Sequence, residues 1–149
     1  MLDLLTSVLW SLSPFGEAKV GIPYGIMKGL NSYLVFVVCF LANVVVFPLM
    51  MFFLEHINRY LIKWRFYKKS ALYIAKRAKT GSGKKIEKFG FFGLMFFVMI
   101  PLPGTGVYAG SIASYLFGIE KKKAFWANTL GIFISSVFVW TVAVSMNKI

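Results

Sequence analysis

Residues 13–26 read SPFGEAKVGIPYGI, from Ser13 to Ile26, with two prolines, three glycines and an acid and a base only two positions apart. Upstream lies an apolar stretch, Leu2 to Leu12, that suits a helix of eleven residues. At about 1.5 Å per residue it is too short for a hydrocarbon core of about 30 Å. Downstream, Ile22 to Leu30 is again short and only partly apolar. A short helix, a break and a returning short helix predict a re-entrant hairpin, with Glu17 and Lys19 in its tip.

Working outward, the solvent of this chain is lipid. Of 149 residues, 58% are hydrophobic and 15% charged, more apolar surface than one soluble domain of that length can bury. Ser32–Phe53 and Ala124–Met146 carry no charge and are each long enough to cross the bilayer as a helix. Asp3 in place of a basic flank, and the lack of an A-x-A site, argue against a cleavable leader. The lone Cys39, inside the first span, excludes an intrachain disulfide and reads as apolar filler.

Net charge is +12, and eleven of the seventeen basic residues fall between Arg59 and Lys88. A basic segment beside a membrane helix follows the positive-inside rule, so residues 55–88 and 120–123 are expected on the cytoplasmic side of the cell membrane. Their partners are then anionic lipid headgroups rather than nucleic acid. Ile57, Leu61, Trp64, Leu72 and Ala75 recur at helical spacing among the basic residues, which predicts an amphipathic helix on the inner leaflet. The "TGSGKK" that follows, Thr80 to Lys85, reads as a flexible break.

The second half repeats the order of the first. Phe89–Ile100 is a short apolar run ending at "PLPGTG", Pro101 to Gly106, and Val107–Ile119 returns before the second long span. A shift of 85 positions places Gly21 on Gly106, Gly25 on Gly110 and Asn43 on Asn128. Gly21, Gly25 and Gly29, and then Gly106, Gly110, Ser114 and Gly118, recur every fourth residue, giving each returning helix a small face for close packing. The expected architecture is an all-α integral membrane protein of one domain: repeat one over 1–54, the amphipathic cytoplasmic linker over 55–88 and repeat two over 89–149. With the linker inside, the hairpins enter from opposite sides. The result is an inverted repeat whose two tips meet near mid-membrane, a recurring transporter design.

Chemistry is sparse. "GSGKK" fails the nucleotide-loop pattern at Ala78 and Lys85, and "GTGVYAG" misses dinucleotide spacing. One histidine, His56, and five acids do not assemble a metal site, so neither an enzyme nor a cofactor is expected. Charges inside a membrane are costly and usually functional, which singles out Glu17 and Lys19. They either lock the hairpin structurally, pairing together or using Glu17 to accept backbone N–H groups, or they work as an ion-exchanging group and an anchor for an anionic headgroup. Pro101, Pro103, Gly104, Thr105 and Gly106 free backbone groups that could line a polar cavity or form only a turn. Asn43 and Asn128 are candidates for interhelical hydrogen bonds.

At "GEAKVGIPYGI" and "IPLPGTGVYAGSIASYLFG" the chain resembles the small multidrug export family, and it is distantly similar to DedA and VTT-type membrane proteins. The resemblance implies facing re-entrant hairpins and a transport role, with Glu17, Lys19, Pro23, Pro101, Pro103, Gly104, Thr105 and Gly106 at the motif positions. Lys19 stands where arginine is more often expected, and the paired arginines of DedA-type second hairpins are absent. The leading expectation is a membrane transporter of an amphiphilic small molecule or lipid, ion-coupled through Glu17 and assembled as a homo-oligomer. A flippase for polyprenyl phosphate or phospholipid, a non-transporting scaffold and an enzyme acting on lipid headgroups are the rivals.

Overall fold

The computed structural model describes residues 1–61, 83–101 and 106–147. These form six helices and no strand: α1 (Leu2–Leu12), α2 (Glu17–Met27), α3 (Ser32–Leu61), α4 (Gly83–Met99), α5 (Val107–Leu116) and α6 (Lys121–Asn147). The order is short, short, long, twice over. Within α3 and α6, Ser32–Ile57 and Lys121–Asn147 are apolar and long enough to cross a membrane.

Their outward faces fit lipid. Tyr33, Val37, Leu41, Val45, Leu49 and Phe53 step along α3 four residues at a time and are all exposed, as are Trp126, Phe133, Val137 and Phe138 on α6. α6 buries mainly small or polar residues, Ala124, Ala127, Asn128, Gly131, Ser135 and Ser136 beside Ile132, whereas α3 buries Val35, Cys39, Val46, Phe47 and Met51 around Asn43. The small and polar face of α6 is what is expected where packing, rather than water exclusion, joins helices.

α3 and α6 run antiparallel and are tied along their length. Trp140 Nε1 donates to the Ser32 carbonyl at 3.2 Å, Phe36 and Phe40 meet Phe133 edge-on, Phe47 meets Phe125, and Glu55 pairs with Lys121 at the far end. The short helices cross between them: α2 packs on both α3 and α6, and so does α5.

Several boundaries differ from the sequence reading. The second helix starts at Glu17 rather than Ile22, so both charges sit in its first turn. Gly83–Met99 is one helix that takes in Lys84 and Lys85, so the break expected at "TGSGKK" does not extend past Gly83. The small faces also need correction. Gly25 faces Val35 and Ser7, where a Cβ would lie 2.7–2.8 Å from their side chains, and Gly21 is closer still to Ser11 and the Ser7 carbonyl. Gly29 and Gly118 touch nothing; they have φ of +74° and +66° and close identical helix ends. Leu30 N–H bonds the Gly25 carbonyl (3.1 Å) and Ile119 N–H the Ser114 carbonyl (2.9 Å), the six-to-one bond of a Schellman turn. Most of the basic linker, with Trp64, Leu72 and Ala75, lies outside the described residues.

Candidate functional site

The first turn of α2 projects both charges toward the end of α4 and the start of α5. Lys19 Nζ donates to the Ile100 carbonyl at 2.9 Å, just past the end of α4. Pro101 follows, so the carbonyl stands just beyond the last residue of the helix. A cation there also meets the negative end of the helix dipole.

Glu17 does the converse at α5. The Glu17 carboxylate lies against Gly106 at the start of that helix, close enough to the backbone N–H groups of Val107 and Tyr108 to act on them electrostatically, and so sets a negative charge at the positive helix end. The approach is so close that a Cβ on Gly106 would fall inside the carboxylate, so a larger residue there must displace Glu17. Glu17 itself has φ of +55°, a left-handed conformation that a side-chain-bearing residue adopts only when its surroundings compel it. Its side chain is 3% exposed and Lys19's 7%, with Nζ 3.8 Å from Oε2. Oε1 has no partner.

A third link closes the ring. The Tyr108 hydroxyl, from the first turn of α5, donates to the Leu12 carbonyl at the end of α1. Each half of the chain thus supplies side chains to helix ends of the other: Lys19 and Glu17 meet α4 and α5, and Tyr108 meets α1.

The structure therefore brings together Glu17, Lys19 and Gly106, with Pro101 beside them. Pro103, Gly104 and Thr105 lie outside the described residues. Pro23 is half-buried within α2, a turn beyond Lys19, where it takes no part in the tip contacts described above. Asn43 donates to the Ser11 carbonyl of α1 (3.1 Å) as well as to its own helix at Cys39 (3.2 Å). Asn128 donates only to Ala124 in its own helix (2.8 Å), and its Oδ1 presses on Gly110. Both asparagine oxygens are buried without a partner. Sequence reading missed Tyr108, the Ile100 carbonyl and the buried serines Ser7 and Ser11; only the tyrosine's place two residues past Gly106 was a usable signal. Among the described residues no cluster of His, Cys, Asp or Glu could hold a metal.

A family model described as "Putative small multi-drug export protein" matches residues 17–138. The match opens on Glu17 and takes in both tips. No curated protein matches the chain, and no solved structure does.

Proposed function

The chain belongs to the small multi-drug export family, and on that premise we propose that it is a membrane transporter whose substrate passes between the two hairpin tips. The observation that carries this reading is the mutual capping at the tips: Lys19 on Ile100, Glu17 on the start of α5, and Tyr108 on Leu12. α1, α2 and α5 are too short to cross a bilayer, and together with α4 they form facing re-entrant hairpins in an inverted repeat. α3 and α6 cross on either side of them. Residues 55–88 and 120–123 are cytoplasmic, and the Glu55–Lys121 pair at one end of the bundle supports placing both segments on the same side.

In this arrangement the tips form the closed state. Opening requires only that a few side-chain contacts separate, because no helix continues through the centre. Glu17 is the ion-exchanging group: neutralising it weakens its hold on both Lys19 and α5, and the tip loosens. Lys19, released from Glu17, anchors an amphiphilic small molecule or lipid. Pro101, Pro103, Gly104, Thr105 and Gly106 supply the irregular backbone that lines the opening, and Asn43 and Asn128 add polar groups beneath it. Two long helices make a thin wall, so the working unit is a homo-oligomer.

The test is flux in reconstituted liposomes loaded with fluorescent amphiphiles of either charge. Wild-type protein is expected to move one of them in a pH-dependent way. Glu17→Gln and Lys19→Met should abolish that movement while keeping wild-type helicity; undiminished movement in both variants would sink the assigned roles.

A further inference from the structure

We propose that the tip is a binding site for the carboxylate of an acidic amphiphile, occupied in this structure by the chain's own Glu17. The inference deepens the transport reading above and rests on it.

The surroundings of Glu17 are those of a receptor for an anion. The carboxylate sits at the start of a ten-residue helix, beside the backbone N–H groups of Val107 and Tyr108. Gly106 leaves a hollow without a Cβ, and the hollow is filled by a carboxylate. Lys19 brings a positive charge to within 3.8 Å. Backbone N–H groups, a helix N-terminus and an ammonium are the standard means of holding a carboxylate or phosphate, and a planar group of carboxylate size is what this hollow holds.

Glu17 is also a poor permanent occupant. It reaches the hollow through a left-handed backbone conformation. Once there, its Oε1 is left buried and unpartnered. A ligand carboxylate that is not bound to a strained backbone can satisfy the same donors without that strain. Leu12, Phe15 and Ile100, which flank the tip contacts in the chain, are 37%, 80% and 42% exposed, apolar surface suited to an alkyl chain. The occupant is therefore an amphiphile with an acidic head. Its binding expels Glu17, which offers a route from substrate entry to tip opening.

The test is calorimetric titration of the full chain in non-ionic detergent with hexanoate, and with acetate and hexyltrimethylammonium as comparators. Glu17→Ala should bind hexanoate at least about tenfold more tightly than wild type, the scale of one charge-assisted hydrogen bond. Glu17→Gln, which keeps the side chain's length and part of its hydrogen bonding, should fall between them, and decides the matter if the alanine variant does not fold. Adding Lys19→Met should remove the gain. Wild-type affinity in folded Glu17→Gln, an equal gain for hexyltrimethylammonium, or acetate binding as tightly as hexanoate would each overturn the proposal. Because binding is read without flux, a variant that gains hexanoate but moves nothing in liposomes separates failure of transport from failure of the site.

Discussion

Gly106 and Gly93 are both glycines of the second half, and an alanine would be felt at one and not at the other. At Gly106 the new methyl would occupy the space of the Glu17 carboxylate, while at Gly93, within α4, nothing lies within 4 Å. Gly106→Ala should therefore strip α5 of its cap and strand a buried charge, lowering stability by about 1–3 kcal/mol. Gly93→Ala should raise it by about 0.5–1 kcal/mol through helix propensity alone. Thermal unfolding in detergent measures both; equal shifts would mean that Glu17 does not sit on Gly106. The need for compensation at Glu17 and Lys19 was legible in the sequence, because charges inside a membrane are expensive. Their partners were not. Those partners are backbone groups at Ile100, Val107 and Tyr108, far along the chain, and a backbone atom leaves no mark in residue type.

At the scale of elements, the returning helices α2 and α5 end alike. A Schellman turn closes each, at Gly29 and Gly118, and Asn31 then starts α3 by accepting the N–H groups of Tyr33 (3.0 Å) and Leu34 (3.3 Å). Gly29→Ala and Gly118→Ala should each cost about 1 kcal/mol, since both force a side chain into a left-handed backbone, whereas asparagine there should cost less. Asn31→Ala should cost about 0.5–2 kcal/mol by loss of the cap. Amide exchange would localise each effect to the start or end of one helix; a loss spread over the whole chain would argue against a local cap. The four-residue rhythm of small residues was visible in the sequence, but it cannot tell a packing glycine from a turn glycine. It is also blind to register: Gly25 and Gly110 are 85 positions apart and Gly29 and Gly118 are 89, so a slip of one turn preserves the pattern while moving the ends.

At the scale of the molecule, the long helices were legible from length and hydropathy, and the placing of 55–88 and 120–123 on one side implied that they run antiparallel, though not that they pack on each other. What composition could not supply was the contact between the halves, which depends on crossing geometry rather than on any motif. The pairing makes a topological prediction. In a Cys39→Ala background, single cysteines at Glu55 and Lys121 should be labelled by an impermeant thiol reagent from the same side of the membrane. Cysteines at Asn31 and Asn147 should be labelled from the other side. Labelling of Asn31 and Glu55 from one side would contradict a membrane-crossing α3.

The reciprocal capping of the tips also has a history, written in the order of synthesis. Glu17 and Lys19 emerge from the ribosome well before Ile100, Val107 and Tyr108 exist. In the proposed topology, until those residues arrive, each charge entering the bilayer faces an insertion penalty of roughly 2.5–3.5 kcal/mol with at best the other for company. The first hairpin should wait at the headgroup boundary, its flanking span already anchored, and sink only when the second half comes to meet it. In the proposed arrangement, insertion of the first tip is therefore completed only after the second half of the chain has been made.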